Sequence, residues 1–291
     1  MKILVLGADG MLGHQLVASF RDRHEVAGTV RKGVTAYAHL AGSLPRRVFD
    51  SVDSRNFDSI EEVLCSFAPD AVVNAIGIVK QRQEAKDAVE SIVVNSLLPH
   101  RLSEFCQARS VRFVHLSTDC VYSGRQGMYE DDAVHDARDM YGRSKSLGEV
   151  GGVGSITLRT SIIGLELSRK ASLVEWFLAQ EGEIKGFTKA IYSGFTTLEI
   201  ARVIEGLLVR PGDISGIYNV SSHPIDKFSL LAMLNERLGR PVSIVPDDKF
   251  ECDRSLDSSR FRTEFGYEPP SWERMIDELV DQIRSRQKGL A

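Results

Sequence analysis

The chain has 291 residues, of which 43% are hydrophobic and 26% are charged. This balance is ordinary for a globular protein and suffices for one large domain or two closely packed ones. The formal net charge of -4 gives no reason to expect a nucleic-acid partner. The N-terminal pattern lacks a signal-peptide core, and no apolar run reaches the roughly 18 residues that span a bilayer. We therefore expect no membrane partner and a cytoplasmic location.

Cysteine and histidine positions argue against a metal centre. The seven histidines are scattered and match no zinc motif, so we predict no metal. No CxxC spacing occurs among the four cysteines, which is typical of reduced thiols in the cytosol. They are Cys65, Cys106, Cys120 and Cys252.

The first half of the chain alternates short apolar runs with helical patterns, which is typical of βαβ units. The predicted strands are Lys2–Leu6, Glu25–Val30, Arg47–Phe49, Ala71–Ala75, Val111–Leu116 and Ile156–Arg159. The predicted helices between them include Met11–Arg21, Ser59–Phe67 with Asp58 as N-cap, and Ala85–Arg109, which Pro99 should kink or divide. This order predicts an α/β fold with a Rossmann-type, doubly wound parallel sheet.

The regular alternation weakens after about Gly164. Helices are predicted at Ser172–Gln180, Leu198–Val209, Phe228–Leu238 and Trp272–Arg284, with a strand at Gly216–Val220. We predict a dinucleotide-binding Rossmann domain with the catalytic residues over residues 1–164. Residues 165–291 are predicted to form a smaller substrate-binding region that interleaves with the first domain.

A glycine-rich turn follows the first strand directly. Its sequence is Gly7-Ala8-Asp9-Gly10-Met11-Leu12-Gly13, and a helical pattern continues from it. In dinucleotide sites such glycines permit a tight turn, close approach of the backbone to the pyrophosphate and close helix–strand packing. The helix N-terminus adds partial positive charge. We predict that Gly7, Gly10, Met11, Leu12 and Gly13 bind a dinucleotide cofactor.

The end of the second predicted strand indicates which cofactor is preferred. Enzymes selective for NAD usually carry an acid there, whereas this chain has Thr29-Val30-Arg31-Lys32. Arg31 and Lys32 can pair with a 2′-phosphate. We predict that NADP(H) is preferred and that NAD(H) is the alternative. The competing explanation is that both side chains are solvent-facing loop charges.

Tyr141 and Lys145 suggest proton-transfer chemistry. Residues four apart lie on one face of a helix. A lysine ammonium beside a phenol lowers the tyrosine pKa from its usual value of about 10. The tyrosine then becomes a usable proton donor for carbonyl reduction. Thr118, at the end of the fifth strand, could donate a hydrogen bond to the same carbonyl oxygen.

Together these motifs resemble the extended short-chain dehydrogenase/reductases and, within them, the dTDP-4-dehydrorhamnose reductase group. The run Ser117-Thr118-Asp119-Cys120-Val121-Tyr122 is similar to the family's Ser-Thr-Asp-Tyr-Val-Phe. The resemblance implies that Thr118, Tyr141 and Lys145 are catalytic, with Tyr141 as proton donor and Lys145 holding the nicotinamide ribose. It further implies cofactor contacts from Asn74, Ala75 and Gly77, and an acid, Asp53, beside the adenine.

The resemblance continues in Tyr129-Glu130-Asp131-Asp132, Leu158-Arg159-Thr160-Ser161 and Arg254-Ser255-Leu256-Asp257-Ser258, although the last lacks the family's proline. It implies a nucleotide-sugar substrate contacted by Thr118, Asp119 and Arg254. Arg254 would bind the diphosphate, with a surface salt bridge as the open alternative. The implied activity is NADP(H)-dependent reduction of the 4-keto group of a nucleotide-activated 6-deoxy sugar, in surface polysaccharide biosynthesis.

Two departures from the family leave alternatives open. Ile162-Ile163-Gly164 stands where the reductases commonly carry an aromatic residue facing the sugar. Cys120 fits the cysteine of GDP-fucose synthases, but no histidine lies between His135 and His223 to complete their epimerisation pair. The alternatives are an epimerase or dehydratase on the same scaffold and a non-catalytic, cofactor-binding regulatory protein. A homodimer is the default assembly for such enzymes.

Overall fold

A computed structural model describes residues 1–79, 87–168 and 170–289. The chain forms two compact units. The first contains Met1–Thr118, Arg138–Leu158 and Ile200–Ile217, and the second contains Asp119–Ala137, Arg159–Glu199 and Tyr218–Ala291. Each unit therefore consists of three segments that alternate along the chain with those of the other. A functional division at residue 164 stays a prediction.

The strands are, in chain order, β1 Lys2–Leu6, β2 Glu25–Thr29, β3 Arg47–Phe49, β4 Ala71–Asn74, β5 Arg112–Leu116, β6 Ser155–Arg159, β7 Ile162–Ile163, β8 Glu183–Tyr192, β9 Phe195–Thr196, β10 Gly216–Asn219, β11 Ile225–Asp226 and β12 Ser243–Asp253. The α-helices are α1 Met11–Phe20, α2 Phe57–Phe67, α3 Ala88–Ile92, α4 Leu98–Ala108, α5 Met140–Leu147, α6 Leu173–Leu178, α7 Thr197–Val209, α8 Lys227–Leu238, α9 Ser259–Phe265 and α10 Trp272–Gln287.

A seven-stranded sheet has the order β10-β6-β5-β4-β1-β2-β3. The pairs from β6 to β3 are parallel. The chain builds outward from β1 to β3 and then from β4 to β6 on the other side, which confirms the predicted doubly wound fold. This reversal brings the carboxyl ends of β1 and β4 side by side, where such sheets bind ligands.

The apolar runs of the central strands are continuous because helices cover both faces of the sheet. Residues Ile3 to Leu6 of β1 are fully buried. One core cluster joins side chains from β1, β4 and β5 to α2 and α4, including Leu6, Phe67 and Cys106. Burial raises the pKa of the Cys106 thiol to about 12, so this cysteine is a core residue with an unreactive thiol.

The start of α2 differs from the prediction. The helix begins at Phe57, and the Asn56 side chain accepts a hydrogen bond from the Asp58 N–H at 3.2 Å. Asn56 is therefore the N-cap, and the prediction of Asp58 was wrong. Both residues are good capping types, and Asp58 lies in the first turn, where an acid favours the helix dipole.

The predicted helix over Ala85–Arg109 is divided. Ala85 and Lys86 lie outside the described residues, and residues 88–108 form α3, a π-helical segment Val93–Leu97 and α4. Pro99 stands in the first turn of α4 and cannot donate a hydrogen bond to the Asn95 carbonyl four residues earlier. The π-helical segment accommodates this missing bond at the predicted position.

The second unit contains a three-stranded sheet of order β11-β8-β12 and a two-stranded sheet of β7 and β9. Helix α8 packs against β8, and helix α10 packs against α8. The long strands β8 and β12 were not predicted. In the case of β12, the reason is that the strand is largely exposed and polar along its length. In the described ranges, no helix combines the length and apolarity that crossing a membrane requires.

Candidate functional site

The glycine turn has the geometry that a pyrophosphate requires. Gly7 has a φ of 80°, and a Cβ at Gly13 would stand 2.0 Å from the Gly7 carbonyl oxygen. Gly10 is the N-cap of α1 and supplies no side-chain cap to the first amides of that helix. These amides and the helix dipole favour an anionic group. The turn therefore fits a dinucleotide through its backbone conformation, its close packing at Gly13 and the first amides of α1.

Tyr37 connects the glycine turn to the end of β2. Its hydroxyl donates to Asp9 Oδ2 at 3.0 Å and accepts from the Lys32 N–H at 3.3 Å. The side chains of Arg31 and Lys32 are exposed beside this link. Two exposed cations thus follow β2, and their contact with a 2′-phosphate stays a prediction. Tyr37 was not predicted, because it lies in an irregular 3₁₀ segment, Val34–Ser43, that has no sequence signature.

Asp53 is paired within its own loop. The Arg55 guanidinium donates to both carboxylate oxygens at 2.7–3.0 Å and also to Glu90 at 2.9 Å. Hydrogen bonding from Arg55 holds the pKa of the Asp53 carboxyl below its ordinary value. A contact between Asp53 and adenine stays a prediction.

The segment after β4 lies against the glycine turn. The Ala75 N–H donates to the Leu6 carbonyl at 3.1 Å, and a Cβ at Gly7 would stand 3.0 Å from Ile76 Cγ1. Asn74 is fully buried, and its Oδ1 accepts from the Ile76 N–H at 3.1 Å. The structure therefore brings Asn74, Ala75 and the turn together, as the predicted cofactor site requires.

Ser117 and Thr118 follow β5 at the same end of the sheet. The Ser117 hydroxyl donates to Glu149 Oε1 at 2.6 Å, and its N–H donates to the Leu158 carbonyl at 2.8 Å. These bonds give Ser117 a structural role. Thr118 is only 5% exposed and is the last residue of its segment in the first unit.

Helix α5 places Tyr141 and Lys145 one turn apart on the same face. Tyr141 is partly buried, whereas Lys145 is 4% exposed. Lys145 Nζ donates to the Leu116 carbonyl, at the end of β5. Burial lowers the pKa of Lys145 to about 8, and the nearby Glu149 carboxylate opposes that shift. Lys145 can therefore change its protonation state near neutral pH, which an exposed lysine does not do.

Asn95 positions α5, a role that was not predicted. Its amide group bonds the Ile78 N–H and C=O at 2.9 and 3.0 Å and donates to Ser144 Oγ at 3.1 Å. A Cβ at Gly148 would stand 1.9 Å from the Asn95 carbonyl oxygen, so only glycine fits there. The one available signal was an asparagine four residues before Pro99 in a helical pattern.

The second unit contains the remaining predicted contacts. Arg254 Nε donates to the Tyr122 carbonyl at 2.9 Å, and its Nη2 lies 3.4 Å from the Ser123 carbonyl. Arg254 thus holds the segment that follows Asp119. Cys120 is partly buried and is not in a disulfide. In the described parts of both units, no group of three or more histidine, cysteine or acidic side chains is arranged to hold a metal ion.

Comparisons with known proteins identify the family of this chain. A model of the family described as RmlD substrate binding domain matches residues 1–164. A dTDP-4-dehydrorhamnose reductase from Aggregatibacter actinomycetemcomitans is 24% identical, over 96% of this chain and 98% of that protein. The spore coat polysaccharide biosynthesis protein SpsK of Bacillus subtilis (strain 168) is 25% identical, over 98% of each.

Solved structures share the fold at lower identity. A dTDP-4-dehydrorhamnose reductase from Bacillus anthracis str. Ames in complex with NADP has a TM-score of 0.79 at 18% identity, covering 97% of this chain and 99% of that one. A UDP-glucose 4-epimerase from Thermotoga maritima with UDP-glucose also has a TM-score of 0.79 at 18% identity, covering 99% and 100%. The fold is therefore common to a reductase and an epimerase.

Proposed function

The chain belongs to the RmlD substrate binding domain family, and from this premise we propose that it reduces the 4-keto group of a nucleotide-activated 6-deoxy sugar with NADP(H). It is an oxidoreductase of the extended short-chain dehydrogenase/reductase type. The observation that carries the proposal is the placement of Tyr141 and Lys145 on one face of α5, with Lys145 bonded to the carbonyl that precedes Ser117 and Thr118.

Each side chain has a distinct role in the proposed reaction. Thr118 donates a hydrogen bond that orients the substrate carbonyl oxygen, and Tyr141 delivers the proton to that oxygen. Lys145 stabilises the phenolate that remains and contacts the nicotinamide ribose. Reduced nicotinamide, when bound, supplies the hydride that the carbonyl carbon accepts. The products are an alcohol and oxidised cofactor, so the protons and electrons balance.

Cofactor binding in this proposal uses three segments of the first unit. Gly7, Gly10, Met11, Leu12 and Gly13 hold the pyrophosphate, supported by the uncapped amides of α1. Arg31 and Lys32 bind the 2′-phosphate, which makes NADP(H) the preferred cofactor and NAD(H) the alternative. The remaining cofactor contacts are assigned to Asp53, Asn74, Ala75, Gly77, Tyr141 and Lys145.

The proposed substrate and cellular role are inferred from the names of similar proteins. Curated relatives are named for the reduction of dTDP-linked keto sugars and for polysaccharide biosynthesis, which supports a nucleotide-sugar substrate and a role in making surface polysaccharide. Thr118, Asp119 and Arg254 are the assigned substrate contacts. None of the four cysteines is in a disulfide, which is consistent with the proposed cytoplasmic location.

The test follows NADPH absorbance with purified protein and a panel of nucleotide-linked 4-keto-6-deoxy sugars. We expect consumption with at least one sugar, and Tyr141→Phe should abolish it while NADPH still binds. Tyr218→Phe is the matched control, because it also removes one tyrosine hydroxyl, which donates to Glu264 Oε1 at 2.8 Å. Full activity in Tyr141→Phe would refute the assigned proton donor.

An epimerase or dehydratase is the second candidate, because the fold is shared with a UDP-glucose 4-epimerase. These reactions return the cofactor to its starting state, so net NADPH consumption distinguishes reduction from both. A regulatory protein that binds NADPH without catalysis would consume none with any sugar.

A homodimer is part of the proposal. Apolar side chains are exposed on helical segments of the first unit, with Val89 71% and Leu147 65% exposed. Ile92 and Leu97 are also exposed. Burying such a surface against a second copy would remove it from water. Light scattering after size-exclusion chromatography should give twice the chain mass for the wild type and a monomer for Leu147→Glu. A monomeric wild type would exclude the dimer.

A further inference from the structure

His115 is a buried titratable residue that the mechanism above does not use. It is the fourth residue of β5, is fully buried and stacks on Phe113 with ring centroids 6.3 Å apart. Its Nδ1 is 3.2 Å from Asn74 Nδ2, and its Nε2 is 3.5 Å from Lys145 Nζ. The imidazole thus connects the segment after β4 to the lysine on α5.

Asn74 determines which ring nitrogen carries the proton. Asn74 Oδ1 already accepts from the Ile76 N–H at 3.1 Å, so the amide nitrogen Nδ2 must face the imidazole. Because Nδ2 is a donor, His115 Nδ1 is the acceptor, and the proton of a neutral ring is on Nε2. Burial keeps the ring neutral by lowering the His115 pKa well below its ordinary value, and the nearby Lys145 and His100 act in the same direction.

The Nε2–H group therefore faces Lys145 Nζ. Two donors that face each other repel, whereas a neutral amine can accept from Nε2–H through its lone pair. The imidazole thus disfavours the ammonium form and favours the amine. We propose that His115 is a positioning residue that, in the tautomer fixed by Asn74, weakens the hold of Lys145 on its proton and keeps Nζ at the end of β5.

Other groups also act on Lys145. Glu149, four residues after Lys145, favours the ammonium form of Lys145. Its Oε1 accepts a hydrogen bond from the Ser117 hydroxyl at 2.6 Å. Tyr141 lies one turn before Lys145 on the same helix face. Burial and His115 oppose Glu149, and the balance keeps proton loss near neutral pH. The inference rests on the proposed function only in taking carbonyl reduction as the reaction in which Lys145 acts.

The experiment measures the titration of Lys145 directly in cofactor-free protein. Lysine labelled with ¹³C at Cε is followed by NMR against pH, and Lys145→Met assigns the signal. We expect a wild-type midpoint near pH 8 and a rise of about one pH unit in His115→Leu. Asn74→Asp should raise the midpoint as well, because a carboxylate accepts from Nδ1–H and leaves Nε2 free to accept from the ammonium.

Phe113→Leu is the control for packing loss on the same face of β5, and it should leave the Lys145 midpoint unchanged. Ring ¹⁵N shifts should show the Nε2–H tautomer in the wild type and Nδ1–H in Asn74→Asp. An equal midpoint in wild type and His115→Leu would overturn the proposal, as would an Nδ1–H tautomer in the wild type. If His115→Leu fails to fold, Asn74→Asp and the wild-type tautomer decide the question.

These titrations need neither cofactor nor sugar. They therefore test the role of His115 even if the protein reduces no sugar and the proposed function fails. If the protein is active, the pH profile of NADPH oxidation should shift in His115→Leu in the same direction as the Lys145 midpoint. A purely structural histidine would lower the rate at every pH without moving the profile.

Discussion

Each of the two compact units buries a cation, and the two cations are held differently. Lys145 of the first unit is 4% exposed and Arg159 of the second is 5% exposed. Arg159 Nη1 donates to the Asp131 carbonyl at 2.6 Å and to the Tyr122 hydroxyl at 3.2 Å, and lies 3.5 Å from Asn219 Oδ1. Lys145 donates to one carbonyl and faces the His115 ring.

The contrast separates a structural cation, Arg159, from a chemical one, Lys145, which we propose to be catalytic; both lie in motifs that resemble the family's. A guanidinium keeps its charge in proteins, so neutral acceptors on several segments can use it as a permanent cross-link. The Lys145 ammonium has fewer fixed acceptors and a pKa of about 8, so it can lose its proton. Resemblance of a motif therefore does not reveal whether its cation acts in chemistry or in folding.

The largest expected effect comes from removing the chemical cation. Lys145→Met should lower turnover roughly 100- to 10,000-fold, the usual contribution of a proton-transfer group. The melting temperature should not fall, since a buried charge and its desolvation cost are removed together. NADPH oxidation and thermal melts measure both effects. Arg143→Met, at an exposed position on α5, is the control and should retain activity.

Removing the structural cation should affect folding instead. Arg159→Met removes the buried donor shared by the Asp131 carbonyl, the Tyr122 hydroxyl and Asn219 Oδ1, which should lower the free energy of unfolding by about 4 kcal/mol. Urea denaturation measures this loss. Lys185→Met is the control, because that side chain is 69% exposed and its ion pair with Asp247 should contribute little. A fully stable Arg159→Met would remove the distinction between the two cations.

The pH dependence of stability sharpens the same contrast. The pKa of Lys145 is about 8 in the folded chain and 10.5 ordinarily, so the unfolded chain binds the extra proton between these values. Stability should therefore rise with pH across this window, by at most roughly 3 kcal/mol. The measurement compares urea unfolding of wild type and Lys145→Met at pH 7 and pH 10, which cancels other groups. A constant difference would contradict the depressed pKa.

The smallest expected effect concerns cofactor preference. Arg31→Ala should raise the KM for NADPH roughly tenfold, because one exposed charge-assisted contact to the 2′-phosphate is lost. The KM for NADH should stay unchanged. Arg21→Ala is the control, since Arg21 donates to the Gly42 carbonyl at 3.2 Å and is not assigned to the cofactor. Equal changes for both cofactors would show that Arg31 does not bind the 2′-phosphate.

Sequence patterns predicted the first unit well because the patterns that specify its elements involve residues close together in the sequence. A buried strand, the glycine turn and a Tyr–Lys pair at helical spacing are each legible within about ten residues. The His115 network is not local, since Asn74 is 41 residues away and Lys145 is 30. The structural role of Arg159 likewise depends on Asn219, 60 residues later. Such pairings follow from the strand order, which a single sequence indicates only coarsely.

The π-helical segment Val93–Leu97 implies an unusual response to deletions. A π turn holds one residue more than an α turn, so removing a residue there would place Pro99 inside an α-helical path, where its ring clashes with the carbonyl four residues earlier. Each residue turns an α-helix by about 100°, so the same deletion would rotate Asn95 or its neighbours away from Ile78 and Ser144. A shortened chain would then lose both the turn that accommodates Pro99 and the support of α5. Length in this segment matters as much as residue identity.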